Sequence, residues 1–182
     1  MRTEKMSAAE RQQLILSMLK EATGPISARQ FAETTHVSRQ VIVQDISILK
    51  AKNEPILATS QGYIYLHQER NQARVQMVIA CKHTPEQTRE ELYILVDHGV
   101  SVNDVIVEHP VYGQLTAALR VSTRNEVDMF IEKIRETNST YLLTLTDGIH
   151  LHTIEADSRD KLEAACKALA AAGILVSNAE ET

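Results

Sequence analysis

The sequence predicts an α+β protein of two domains: a mainly helical N-terminal third, then a larger domain whose helices lie on one face of a mainly antiparallel sheet. Three observations carry this reading. Hydrophobic residues make up 43% of the 182-residue chain, enough for packed cores. Apolar residues recur at helical spacing up to residue 52 and then fall into short β-type runs, which after residue 74 give the order β-α-β-β-α-β-β-α. Between the two patterns, residues 68–73 are polar and offer no core face, so the linker is placed there.

The first helix is expected over residues 8–21, with Leu14, Ile15, Met18 and Leu19 on one face. Thr23-Gly24-Pro25 stops it, because Pro cannot continue a helix. Ser27 caps a second helix that turns Phe31 and Ala32 inward. His36-Val37-Ser38 makes a tight turn, and Ser38 caps a third helix whose core face is Val41, Ile42, Ile46 and Leu49. Two short β-type runs from Ile56 to Leu66 flank Ser60-Gln61-Gly62, a hairpin signal. A helix-turn-helix followed directly by a hairpin is a winged helix, here residues 1–67.

That device lays its third helix in the DNA major groove. Arg39 and Gln40 follow Ser38 in the first turn, where base edges are met, and Gln44 comes one turn later. Arg pairs bidentately with guanine and Gln with adenine. Lys50 and Lys52 are placed to reach phosphates, and Gln61 at the hairpin tip to touch backbone or minor groove. Asp45 is expected to cap or pair locally. A winged helix that contacts protein is the competing reading; the lack of an acidic residue on helix three before Asp45 favours DNA.

The net charge of −5 is distributed unevenly. Residues 1–67 hold eight Lys/Arg against six Asp/Glu, and residues 68–182 hold eleven against eighteen. Any DNA contact therefore belongs to the N-terminal third. Its small positive excess calls for two copies binding together, with affinity that weakens in salt. No apolar run is long enough to span a bilayer, and the charged N-terminus lacks the apolar stretch of a signal peptide. A cytoplasmic protein is expected, with Cys81 and Cys166 as unpaired thiols.

In the C-terminal part, a strand over residues 74–81 leads through Pro85 into a helix ending at His98, with Gly99 behind it. Strands follow over 100–108 and 114–121, then an amphipathic helix over 124–138 with Val127, Phe130, Ile131 and Ile134 inward. Residues 142–146 and 149–155 are expected to form a hairpin around Asp147-Gly148. Ser158 caps a last helix ending near Ala172.

Six of the seven histidines lie at or after residue 67. His150 and His152, two apart on a strand, point to the same face and can share one metal ion. His83 leaves the first strand of this part, and Glu91 lies about two turns along the next helix. Three imidazoles and a carboxylate suit a divalent transition metal such as Zn, Ni, Co or Fe. Two other readings stay open: hydrogen-bonded histidines on an exposed face, and Glu90 in place of Glu91. His109, in Glu108-His109-Pro110-Val111-Tyr112-Gly113, sits in irregular backbone of a kind that lines pockets, or in a turn that faces water. His98 complements a helix dipole, while His36 and His67 read as surface residues. No Gly-rich phosphate loop, nucleophile elbow or HExxH pattern is present, so an enzyme is not expected.

The segment SARQFAETTHVSRQVIVQDISILK, followed by CKHTPEQTREELYILVDHG, VEHPVYG and DGIHLHTIEA, resembles the niacin-responsive transcriptional repressors, the NiaR family. The resemblance covers nearly the whole chain; its helix-turn-helix part is generic, and the three histidine-bearing segments in this order are specific. It implies a C-terminal 3H domain, α/β-sandwich-like, over residues 74–182. It further implies a repressor of NAD biosynthesis and niacin uptake genes, with nicotinic acid as co-repressor. The metal site would match His83, Glu91, His150 and His152, and the middle histidine His109. A homodimer reading the two half-sites of a palindromic operator is implied as well. Nicotinate offers a ring nitrogen and a carboxylate; one would meet the metal, leaving His109 or Tyr112 to hydrogen-bond the other end. Two rivals remain: a repressor that senses the metal itself, and a metal-assisted hydrolase with a DNA-binding arm and Glu90 as spare carboxylate.

Overall fold

A computed structural model describes residues 6–67 and 74–176, and the chain divides into two compact units around residue 70. The linker expected at residues 68–73 lies outside the described residues.

In the first unit, Ser7 and Glu10 form a capping box that starts helix α1, Ala8–Glu21. Ser27 and Gln30 do the same for α2, Ala28–Thr35. His36 closes α2 in the left-handed region (φ 54°), and Ser38 then accepts from the Val41 N–H to cap α3, Arg39–Ala51. The core is Ile15, Leu16, Leu19, Phe31, Ile42, Ile46, Leu49 and Ile56. The inward face of α1 is thus rotated from the expected one: Leu16 is buried, while Leu14 and Met18 are only half-buried. The cause is polar. Asp45, expected to pair locally, instead holds Arg11 at 2.5 Å and Gln12 at 3.0 Å, and pulls both onto the inner side of α1.

Strands β1, Ile56–Thr59, and β2, Gly62–Tyr65, pair antiparallel. Ile26 adds a bridge to Tyr63 through two backbone hydrogen bonds of 2.8 and 2.9 Å. Gly62 is required at that junction. Its φ is +133°, and a Cβ would lie 2.7 Å from the Ile26 backbone.

The second unit contains β3, Val75–Lys82; α4, Thr88–Asp97; β4, Ser101–His109; β5, Gly113–Val121; α5, Arg124–Glu136; β6, Ile149–Ala156; and α6, Arg159–Ala171. The sheet order is β3-β6-β4-β5, antiparallel throughout. Leu92, Leu95, Val127, Leu162, Ala165 and Leu169 from the helices share one core with Ile79, Val102, Leu119, Val121, Ile154 and Ala156 from the strands. Pro85 starts a short 3-10 turn, Pro85–Gln87, and the α-helix proper begins at Thr88.

One expected strand is absent. Leu142–Thr146 is a 3-10 helix, so β6 has no hairpin partner and the described residues of the unit form four strands where five were expected. Two causes act together. The Thr144 hydroxyl donates to the Tyr141 carbonyl at 2.7 Å, and that of Thr146 to the Ile149 carbonyl, which favours a tight coil over an extended run. Strand β6 is also already paired on both sides, by β3 and β4. Asp147-Gly148 does turn the chain, with φ of 54° and 91°, and delivers it into the middle of the sheet.

Candidate metal centre and nucleic-acid interface

The alternation of β6 sends His150, His152, Ile154 and Ala156 into the core. Register then sets the neighbours: His150 lies opposite Cys81 and His152 opposite Ile79 on β3. His83 follows directly after β3, and its backbone N–H bonds the Gly148 carbonyl at 3.4 Å. Gly148 packs so closely there that a Cβ would sit 2.5 Å from the His83 carbonyl oxygen. Helix α4 supplies Glu91, on the same inward face as Thr88, Leu92 and Leu95. Glu90 is exposed and Glu91 is 1% exposed, so Glu91 is the carboxylate that faces the imidazoles.

All four residues meet at the Glu91 carboxylate. Its Oε2 lies 2.7 Å from His83 Nε2; its Oε1 lies 3.0 Å from His150 Nε2 and 3.3 Å from His152 Nε2. The three rings stack edge-on, with centroids 4.8 Å apart for His83–His150 and for His150–His152. Each ring is oriented by its other nitrogen. The Nδ1 atoms donate to the carbonyls of Thr84 (2.7 Å), Gly148 (2.9 Å) and Asp104 (2.6 Å).

That pattern limits what can sit at the centre. A carbonyl oxygen only accepts, so each Nδ1 carries the proton and each neutral ring turns a bare Nε2 lone pair on Glu91. The carboxylate is also an acceptor. Four acceptors converging in the core need something positive between them: extra protons or a metal ion. Three imidazolium ions would leave a buried surplus of positive charge. One divalent ion would satisfy all four groups with three neutral imidazoles, and backbone carbonyls that fix the tautomer are the usual outer support of histidine ligands. Metal bonds of about 2.0–2.2 Å leave neighbouring ligand atoms roughly 3–3.5 Å apart; the Glu91 spacings to His150 and His152 fall in that range, and the 2.7 Å to His83 is that of a direct hydrogen bond.

Ionisation follows the same geometry. Burial pushes the Glu91 carboxyl up, but when the rings carry protons in place of a metal, the His152 charge and the hydrogen bonds from His150 and His83 hold it well below the usual carboxylate range. Burial lowers His83 and His152, and Glu91 beside them reverses this, so both end above the ordinary histidine value. Cys81 also reaches this centre: its Sγ and ligand atoms of Glu91 and His150 all lie within 4.8 Å of one another. Burial first, then the Glu91 charge and hydrogen bond, push its thiol up, so it stays protonated.

Beside the imidazoles lies a cavity of about 150 Å³. Glu91, His150 and His152 form one wall; Leu92, Val105, Ala117, Leu119, Phe130, Tyr141 and Leu143 form most of the rest, with Thr88 among them. Sequence spacing assigns Thr88, Phe130 and Tyr141 no place in a site. Thr88 had a signal, since it precedes Glu91 by three residues on one helical face. Tyr141 had none, because its position depends on the 3-10 turn that replaced the expected strand.

His109 and Tyr112 are placed elsewhere. They sit in the β4–β5 turn, where His109 Nδ1 accepts from the N–H groups of Val111 (3.1 Å) and Tyr112 (3.2 Å). Tyr112 is 75% exposed, and neither residue lines the cavity. His98 bonds the Ile94 carbonyl at the end of α4, as a helix-terminal histidine should. Among the described residues both cysteines are free thiols.

In the first unit, Arg39, Gln40 and Gln44 are exposed on α3, and Lys50 is exposed at its far end. The Arg39, Gln40, Gln44 and Lys50 side chains make no hydrogen bond to another described residue. Ser38 is occupied as the cap. Lys52 donates to Gln12 Oε1 at 3.3 Å, which ties it to the Asp45 cluster. Gln61 sits at the hairpin tip, half-buried, its N–H bonded to Thr59 Oγ1 at 3.1 Å. Among the described residues no helix is long and apolar enough to cross a membrane.

Comparison with known proteins agrees with this two-part build. Residues 11–64 match a helix-turn-helix (HTH) domain and residues 76–178 the 3H domain. The transcription repressor NadR of Bacillus subtilis is 53% identical over 175 residues, 96% of this chain and 97% of its own length. The probable transcription repressor NiaR of Thermotoga maritima is 40% identical over 167 residues, 92% of this chain and 94% of its own. The chain therefore belongs to the NadR/NiaR family of transcription repressors, in which a DNA-binding helix-turn-helix domain precedes a 3H domain.

Proposed function

We propose that this chain represses genes of NAD biosynthesis and niacin uptake, and that nicotinic acid is its co-repressor. The observation that carries the ligand reading is the joined site in the second unit: four converging acceptors beside a largely apolar cavity of about 150 Å³. Cavities of that size admit one benzene-sized ring. His83, Glu91, His150 and His152 hold a divalent transition ion (Zn, Ni, Co or Fe), with the backbone carbonyls of Thr84, Gly148 and Asp104 fixing the rings. When bound, that ion supplies a positive charge and an open coordination position at the cavity wall. The chain's own residues do the rest: Phe130 and Tyr141, packed edge-on against each other, give the cavity an aromatic wall, and the aliphatic side chains exclude water.

In a homodimer the third helices of two copies read the half-sites of a palindromic operator. Arg39, Gln40 and Gln44 contact base edges, Ser38 and Lys50 the backbone, and Lys52 and Gln61 flank them. Nicotinic acid shifts the balance between dimer geometries only by its differential affinity for them. His109 and Tyr112, the ligand contacts expected from the resemblance, do not line this cavity.

A second reading, a repressor that senses the ion itself, is supported by the depth of the donor set: the His83 side chain is fully buried and that of Glu91 is 2% exposed. The hydrolase reading loses its base, because Glu90 is exposed. A thermal-shift titration of metal-loaded protein separates the two repressor readings. A ligand that binds only the folded state raises its melting temperature. Nicotinic acid is expected to raise it, and nicotinamide to do so much less. No rise with either, together with destabilisation by a chelator, selects the metal sensor.

A further inference from the structure

Among the described residues, two buried side-chain polar atoms have no hydrogen-bond partner: His152 Nε2 and Thr88 Oγ1. Both belong to residues that line the same cavity. The ion accounts for the histidine nitrogen. It leaves the threonine hydroxyl unexplained. Thr88 is 5% exposed, and its neighbours in the cavity wall are largely apolar. A hydroxyl left without a partner in such a place destabilises the fold, and a core position of this size accepts Val without that cost.

Its position on α4 makes the orphan informative. Thr88 and Glu91 lie three residues apart on the inward face of the helix, roughly 5–6 Å between Cβ atoms. The cavity thus has a positive end, at the ion held by Glu91 and the imidazoles, and on the same helix face the Thr88 hydroxyl, which unlike Thr140 and Tyr141 in the same wall belongs to the buried, unpartnered atoms. Charge belongs at the first end, because a buried carboxylate needs an opposite charge. One neutral hydroxyl suits a neutral acceptor. We propose that Thr88 donates its hydroxyl to the ring nitrogen of a flat heteroaromatic carboxylate whose carboxylate lies toward the ion. Thr88 then separates pyridine carboxylates from carbocyclic ones, and its unpaired hydroxyl in the free protein is the mark of that role.

This rests on the ligand proposed above, and the test keeps the two apart. Affinities of nicotinic acid and benzoic acid are measured by calorimetry on zinc-loaded wild-type, Thr88→Ser and Thr88→Val protein. Wild-type protein prefers nicotinic acid. Thr88→Ser keeps the preference. Thr88→Val loses about five- to 150-fold toward nicotinic acid, the range for stranding one buried acceptor, and keeps its benzoic acid affinity. Its melting temperature without ligand is not below that of wild type, since an orphan has been removed.

If Thr88→Val weakens both ligands equally, or keeps the wild-type preference, the assignment to Thr88 is overturned while the ligand reading stands. If the wild-type protein ignores nicotinic acid, the ligand reading fails and this inference fails with it.

Discussion

At Glu91 each carboxylate oxygen faces imidazole nitrogens that carry no proton in their neutral form. Metal and proton therefore compete for the same lone pairs. Without metal, the raised His83 and His152 stabilise the fold fully below the ordinary histidine value, and that contribution is lost as pH rises through their shifted values. Glu91, held low, contributes above the ordinary carboxylate value and loses its contribution as pH falls. A divalent ion needs the neutral rings, so its effect runs the other way. The rise in melting temperature on adding zinc is expected to grow from about pH 6 to about pH 8. It is expected to vanish in the double variant His150→Ala with His152→Ala, which also loses nicotinic acid. A zinc shift that is flat with pH, or one that survives the double substitution, removes the imidazoles from the ligand set. His150, His152 and His83 were legible as a group because β-alternation and helical spacing are local rules. Thr88 was overlooked because a missing partner is a property of surroundings that no spacing reveals.

Among the elements, caps and turn residues carried most of the information. Ser7, Ser27, Ser38 and Thr123 each accept a hydrogen bond from the first turn of their helices, and such side chains mark helix starts in any sequence. Where a local rule met a tertiary demand, the tertiary demand prevailed. Helix α1 turned Leu16 inward because Asp45 on α3 needed Arg11. The run at 142–146 coiled because its would-be partner was already paired on both edges. The Arg11–Asp45 contact also gives a stability prediction. Both groups are mostly buried, with side chains 11% and 4% exposed. Asp45→Ala strands a buried guanidinium and is expected to cost about 3–5 kcal/mol. Urea denaturation with an N-terminal probe checks this; a loss under about 1 kcal/mol means that Arg11 finds water instead.

For the whole molecule, the division of charge matters more than its total. The acidic balance lies beyond residue 67, while Arg39, Gln40 and Gln44 present an uncommitted polar face on α3. On its operator, Arg39→Ala is expected to lose about 1–3 kcal/mol and to relax preference at one base position. Lys50→Ala is expected to weaken binding to all sequences alike and to reduce the salt slope by about one unit per site. Binding measured across a salt series on operator and scrambled DNA separates the two. Equal behaviour of both variants on both DNAs takes Arg39 out of base reading. Lys52 is a weaker candidate than its sequence position suggests, because Gln12 already holds its amine.

By itself the sequence determined the helices, the wing, the break between a basic and an acidic part, and the histidines whose alternation turns them inward. These follow from spacing, capping and composition, which act over a few residues. Only the tertiary structure decided that β6 enters the middle of the sheet, that Glu91 rather than Glu90 meets the rings, and that Thr88 opens onto a cavity. It also placed His109 and Tyr112 in a surface turn. Those outcomes depend on which distant segments fill the space around a residue, and strand order and burial settle that after the local rules are satisfied.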